Sequence, residues 1–198
     1  MMNPLKSPWL TTLAGVLLAI VISLIFGQSG TSLGLMVWLH VIFGIMWIGL
    51  LYYFNFVQVP AVAEALKDKD PGPAAINKYV APKALWFFRW AALLTWLTGV
   101  IALAHLGGGM QGVWSAFLLQ DGMALIGIGA WLGTIMLLNV WGLIWPNQKK
   151  ILGIKPATAD EIARAKIVAL YASRTNTLLS IPMLLSMVGY GHGGLLPF

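Results

Sequence analysis

The chain has 198 residues, of which 59% are hydrophobic and only 9% are charged, and its formal net charge is +6. Because a water-soluble domain carries about 25% charged residues, this composition excludes a soluble fold and indicates a protein that is solvated by lipid. The chain contains no cysteine, which excludes disulfides, thiolate metal sites and covalently attached c-type haem. The basic residues lie beside apolar runs, which favours contacts with anionic lipid over nucleic-acid binding.

Apolar runs long enough to cross a bilayer recur along the chain, since a helix needs roughly 20 residues to do so. They predict five transmembrane helices, at about residues 9–26, 33–57, 84–106, 122–145 and 168–188. The first run follows Lys6 as the apolar part of a signal peptide would. It is longer than such a region and lacks a cleavage site, so we interpret it as a retained helix. The expected fold is an all-α, single-domain membrane bundle of about five transmembrane helices.

Local signals mark the ends of several predicted helices. The glycines at 107–109 end the third span, Asp121 can cap the fourth, and Pro146 is expected to stop it. The segment 158–161 (TADE) has the spacing of a capping box. The helix that it starts is expected to continue into the fifth span, where Pro182 should cause a kink.

The positive charges are distributed on one side of these spans. Every Lys and Arg lies in the N-terminal segment, in the loops 58–83 and 147–167, or in the first turns of the helices that leave those loops. The opposite side has Asp121 as its only charge. The positive-inside rule therefore places the N-terminus and both loops in the cytoplasm and the C-terminus outside. We expect a multi-pass protein of the bacterial inner membrane.

Three histidines are the candidate metal ligands, and the topology places all of them near the outer face: His40, His105 and His192. His40 lies inside the second span, where an ionisable group is costly and indicates a function. Gly44 lies one turn below it and leaves room for a flat macrocycle on the same face. Neutral imidazole is a common axial ligand of haem, whereas the alternative is a histidine that only bonds to a neighbouring helix. His105 is the candidate for a second axial ligand.

Three further polar residues lie inside the predicted spans. Arg174 can extend its side chain to the cytoplasmic interface, or it can pair with a haem propionate or an anionic substrate. Asn139 and Asn176 are candidates for substrate binding.

Several segments together resemble the membrane domain of the bacterial cytochrome-c-linked urate oxidases (urate hydroxylases). These are residues 38–49 (WLHVIFGIMWIG) with 52–54 (YYF), residues 139–149 (NVWGLIWPNQK), and the segment 176–192, which contains SIPMLLSM. The resemblance implies haem b as the cofactor, His40 as its ligand and a periplasmic cytochrome c as the electron acceptor. Residues 94–99 (LTWLTG) are more distantly similar to the haem-b-dependent protoporphyrinogen oxidases, which carry a histidine in the corresponding helix.

This sequence departs from the urate oxidase pattern in two places. Those proteins carry a C-terminal cytochrome c domain, whereas this chain ends at Phe198, so the acceptor is expected to be a separate protein. Their last helix tends to contain His-Asn, and this chain has Thr175 and Asn176 there. Three functions follow as hypotheses: a haem b oxidoreductase of the urate oxidase type, an accessory subunit of a larger respiratory or photosynthetic membrane complex, and a protoporphyrinogen oxidase.

Overall fold

The computed structural model describes residues 3–27, 30–120 and 122–194. Every regular element within those ranges is helical, which confirms the predicted all-α class. Asp121, which the sequence indicated as a helix cap, lies outside the described residues. The chain divides into two compact units, Met1–Leu35 and Met36–Phe198.

The first unit contains one long apolar helix, α1 (Pro8–Phe26), which a short 3₁₀ turn precedes at Pro4–Lys6. Thr11 donates a side-chain hydrogen bond of 2.9 Å back to the carbonyl of Pro4 and joins the two elements. The 19 residues of α1 span about 28 Å, close to the thickness of a hydrocarbon core. None of its described residues is buried, as expected of a helix that faces lipid or a partner protein.

The remaining helices start with α2, whose first residues belong to the first unit. They are α2 (Ser32–Tyr53), α3 (Val59–Asp68), α4 (Ala81–Leu106), α5 (Met110–Phe117), α6 (Ala124–Leu138), α7 (Trp145–Ile151) and α8 (Ala159–Gly191). Within the described ranges, four helical segments are long and apolar enough to cross a membrane: Pro8–Phe26, Ser32–Asp68, Ile76–Leu106 and Ala124–Ile151. Helix α8 is long enough but more polar, so the fifth span stays a prediction.

Three helices are longer than the apolar runs predicted, because wide π-helical turns carry them past prolines. The turns are Phe54–Gln58, Ile76–Val80 and Asn139–Ile144, and each leads directly into a regular helix with proline in its first turn. A proline lacks the N–H for an α-helical hydrogen bond, and its ring collides with the carbonyl four residues earlier. A wider turn relieves both problems. The expectation that Pro146 stops its helix was therefore wrong, since the helix continues to Ile151.

The main core lies between α2, α4, the α6–α7 region and α8. Its largest buried side chains, each at most 2% exposed, are those of Trp47, Phe88, Leu51 and Met136. A second cluster of Leu103, Val113 and Ala116 packs the short helix α5 against its neighbours. The core thus holds four helical segments of the second unit together.

Two of the predicted helix-end signals are confirmed. Thr158 and Glu161 form a reciprocal capping box, with hydrogen bonds of 2.9 and 3.3 Å. Helix α4 ends at Leu106 and is followed by Gly107. Lys150 of α7 lies 3.5 Å from the Glu161 carboxylate and forms an ion pair with it, which links the end of α7 to the start of α8.

Candidate functional site

His40 lies on the face of α2 that packs into the bundle. This face carries His40, Gly44, Trp47 and Leu51, at the three- and four-residue spacing of one side of a helix. Trp47 is 2% exposed and Leu51 is fully buried, whereas His40 is half-buried. The imidazole therefore lies at the more exposed end of this face of α2, about two turns before its buried residues.

A hydrogen bond to the backbone of α4 orients the His40 ring. Its Nδ1 lies 2.8 Å from the carbonyl oxygen of Thr95. A carbonyl oxygen only accepts, so Nδ1 must carry the proton and donate it. In the neutral ring, Nε2 then keeps its lone pair. This is the arrangement that metal-binding histidines show, because the outer hydrogen bond fixes both tautomer and ring orientation.

Helix α4 is shaped to receive this ring. The Thr98 hydroxyl shares its proton between the carbonyl of Leu94 at 2.7 Å and that of Thr95 at 3.0 Å. The Thr95 hydroxyl donates to the carbonyl of Ala91 at 2.7 Å. One turn further on, Gly99 faces the imidazole. A Cβ at Gly99 would lie 2.9 Å from Cε1 and 3.0 Å from Nδ1 of His40, which is too close for ordinary contact. The glycine is therefore required for the observed position of the ring.

The donor chemistry at His40 fits one axial side of a haem b. A neutral imidazole with its Nδ1–H bonded to a carbonyl is a common haem ligand. The space beside Gly44 is narrow, because a Cβ there would lie 3.8 Å from Thr95 Cγ2, an ordinary contact distance. Helices α2 and α4 thus pack close together beside Gly44, and its contact with a macrocycle stays a prediction.

The other two histidines lie at exposed helix ends. His105 Nδ1 bonds to the carbonyl of Ile101 at 2.8 Å, and His192 Nδ1 bonds to that of Val188 at 2.9 Å. His105 follows Gly99 by six residues, which is about 9 Å along the axis of α4. Among the described residues, no group of three or more His, Asp or Glu side chains is arranged to hold a metal ion. A role of these three histidines as metal ligands therefore stays a prediction.

The two asparagines bind each other. Asn139 donates a hydrogen bond of 2.9 Å to Oδ1 of Asn176, and Asn176 donates one of 3.0 Å to the carbonyl of Met136. Asn176 has no exposed surface, and these bonds tie α8 to the wide turn after α6. Arg174, two residues earlier on α8, is exposed. A substrate contact at these three positions stays a prediction.

Hydrogen bonds between polar side chains also join the end of α2 and the following turn to α8, and the sequence did not predict them. The Ser180 hydroxyl donates to the carbonyl of Thr177 at 2.7 Å, so it accepts the hydrogen bond of 2.9 Å from the Tyr52 hydroxyl. Asn55 donates to Ser173 Oγ at 2.8 Å. A signal was present in the sequence, since Asn55 is a polar residue within the predicted second span. Its partner on α8 could not be predicted, because the sequence of one helix does not show which residues of another helix it contacts.

Four buried polar atoms have no hydrogen-bond partner among the described residues. They are Trp47 Nε1, Asn55 Oδ1, Gln58 Oε1 and Trp141 Nε1. Asn55 and Gln58 belong to one π-helical turn, Phe54–Gln58, and Trp141 belongs to another, Asn139–Ile144. Wide turns of this type are frequent at functional sites, and here they carry three of the four unpaired atoms.

The second half of the chain matches a known protein family. Residues 110–195 match the family model described as urate oxidase N-terminal. No curated protein and no solved structure matches the chain. The matching region contains α5 to α8, with the Asn139–Asn176 pair, and does not contain His40. The second half of this chain is therefore similar to the N-terminal region of urate oxidases.

Proposed function

We propose that this chain is a multi-pass protein of the bacterial inner membrane that binds haem b through Nε2 of His40. The observation that carries the proposal is the hydrogen bond of 2.8 Å between His40 Nδ1 and the Thr95 carbonyl. It leaves Nε2 as the nitrogen with a lone pair for a metal. An ionisable residue inside an apolar membrane helix indicates a function rather than a packing role.

The residues around His40 would set the basicity of the imidazole and hold it in position at such a site. Donation from Nδ1–H to a carbonyl raises the basicity of the imidazole and restricts its rotation. Thr98 helps to hold the Thr95 carbonyl, and Gly99 lets the ring approach α4. Haem b, when bound, supplies a one-electron redox centre. Trp47 and Leu51 close the bundle on the inner side of the site, since both are buried.

The similarity of residues 110–195 to urate oxidases supports a reaction of the urate oxidase type. We further propose a periplasmic cytochrome c as the electron acceptor. On the predicted topology, the outer face carries Asp121 as its only charge. Docking of a cytochrome c would then rely on apolar and shape contacts, with little electrostatic steering. Electron transfer should therefore depend weakly on salt concentration.

An absorption spectrum of the purified protein tests the proposal. The wild-type protein should show reducible Soret and α bands, and His40→Ala should lose them while still eluting as a folded protein. His192→Ala serves as the control, because His192 is exposed near the end of the described chain. His40→Ala protein with a full haem complement and an unchanged spectrum would refute His40 as the ligand.

The main alternative is an accessory subunit of a larger respiratory or photosynthetic membrane complex. The observation that favours it is α1, a 19-residue apolar helix that belongs to a different compact unit from the main core. Such a helix can pack against a partner protein. Isolation in mild detergent distinguishes the two functions, because the accessory subunit would co-purify in a stable complex and lack haem bands of its own. A porphyrinogen oxidation assay tests the remaining hypothesis, a protoporphyrinogen oxidase.

A further inference from the structure

Two positive side chains contact one indole ring where α4 meets α7. The guanidinium carbon of Arg89 lies 3.8 Å from the centre of the Trp145 ring. The ammonium group of Lys149 lies 5.7 Å from the same centre. Arg89, Trp145 and Lys149 are all half-buried. The ring face attracts both cations through its quadrupole.

Neither cation has an anionic partner in the part of the chain that the structure describes. The ion pair found there within 4.0 Å joins Lys150 to Glu161, and neither the Arg89 nor the Lys149 side chain forms a hydrogen bond with another described residue. Two like charges held near one ring repel each other, and the repulsion grows as water is excluded. An anion between them would remove this cost.

The surroundings are those of a membrane interface. Trp90 packs edge-on against Trp141 with ring centres 5.5 Å apart, and Trp86 lies 6.5 Å from Trp90. A belt of tryptophans is typical of the headgroup level of a bilayer. The apolar helical segment that contains Trp145 ends at Ile151, so Trp145 lies near one end of a helix long enough to cross the membrane. Trp141 Nε1 adds a buried donor without a partner among the described residues.

We propose that Arg89, Trp145 and Lys149 bind the phosphodiester headgroup of an anionic phospholipid. Stacking on the indole leaves the edge of the guanidinium, with its N–H groups, available for two phosphate oxygens. Lys149 supplies a second charge. The ligand is a lipid rather than free phosphate because apolar side chains stand exposed beside the cations. Trp86, one turn before Arg89 on α4, is 48% exposed and Trp90, next to Arg89, is 39% exposed, which suits contact with an acyl chain. The site is independent of the haem proposal.

Native mass spectrometry of the full chain in neutral detergent tests this site with phosphatidylglycerol and phosphatidylcholine as probes. The wild-type protein should retain one phosphatidylglycerol in preference to phosphatidylcholine. Arg89→Gln and Lys149→Gln should each weaken that binding by about fivefold, the factor that corresponds to about 1 kcal/mol per basic residue at a membrane surface. Arg89→Lys should give an intermediate loss, because it keeps the charge and loses the planar donors. Lys166→Gln is the matched control, as Lys166 is an exposed cation elsewhere on the same predicted side.

The outcomes separate the possible sources of the effect. An equal loss of phosphatidylglycerol binding in Lys166→Gln would show a general attraction of anionic lipid to the basic surface and would overturn the proposal. Inorganic phosphate that displaced phosphatidylglycerol at millimolar concentration would assign the site to a soluble anion and also overturn it. If Arg89→Gln did not fold, the comparison of Lys149→Gln with Lys166→Gln would decide, since Lys149 lies near the end of α7, outside the main core.

Discussion

Asn176 and Asn139 form an amide–amide hydrogen bond of 2.9 Å that joins α8 to the π-helical turn after α6. Asn176 also donates to the carbonyl of Met136 at 3.0 Å and has no exposed surface. In an α-helix, the carbonyl of Met136 would bond to the N–H of Val140, and a wide turn disturbs such pairings. The carbonyl of Met136 also accepts from the backbone N–H of Asn139, so the buried amide adds a second hydrogen bond where this turn begins.

The first prediction concerns this amide. Asn176→Ala should reduce the free energy of unfolding by about 1–3 kcal/mol, the cost of buried groups left without a hydrogen bond. Unfolding in increasing mole fractions of denaturing detergent, followed by circular dichroism, measures this change. Thr175→Ala is the matched control, because Thr175 is an exposed neighbour on the same helix. Equal stability of both variants would show that the amide pair contributes nothing measurable.

The second prediction concerns Gly99. A Cβ at this position would lie 2.9 Å from Cε1 of His40, so Gly99→Ala should displace the imidazole from the Thr95 carbonyl. If His40 holds haem b, the variant should lose haem several-fold, measured as Soret absorbance per mole of protein. Gly133→Ala is the control, since a Cβ there has no described neighbour within 4 Å. Full haem content in a folded Gly99→Ala protein would contradict the site as described.

Sequence patterns predicted the helices well where a single segment carries the signal. The apolar run at 9–26 corresponds to Pro8–Phe26, and the capping box at Thr158 forms as expected. The patterns failed at Pro146, which was expected to stop its helix, and Pro60 and Pro82, outside the predicted spans 33–57 and 84–106, also lie within helices. A proline ends a helix only if the preceding turn is α-helical. Nothing in the local sequence shows that the preceding turn is a wider, π-helical one.

The site was predicted less completely, because its contacts join distant segments. His40 stood out as an ionisable residue in an apolar run. Its bond to Thr95, 55 residues away, depends on how α2 packs against α4. Arg89 on Trp145 depends likewise on the packing of α4 against α7. The periodicity of a single sequence indicates which face of each helix is apolar. It does not indicate which helix faces pack against each other.

The third prediction concerns pH and the start of α8. The backbone N–H of Thr158, followed by the charge of Lys150, lowers the pKa of Glu161 from its usual value. A lowered folded pKa means that the carboxylate contributes stability above its ordinary pKa, about 4.3. That contribution is lost as pH falls from there through the lowered value. Amide exchange in the first turn of α8, corrected for intrinsic rates, should therefore show protection that falls below about pH 4.3. Glu161→Gln should remove this pH dependence, and its persistence in that variant would contradict the assignment.

The fourth prediction decides whether α8 crosses the membrane. Helix α8 is more polar than the four apolar segments, yet Asn176 and Ser180 lie fully buried in the bundle. Polar side chains that face a bundle interior are compatible with a transmembrane helix. The one-sided distribution of Lys and Arg then predicts an odd number of crossings between Gly72 and the C-terminus. A fluorescent protein inserted after Gly72 should be active in the cytoplasm, and alkaline phosphatase fused after Phe198 should be active outside. Exchanging the two reporters provides the control, because each should then be inactive. If both positions report from the cytoplasm, α8 does not cross, and the outer location of His192 is wrong with it.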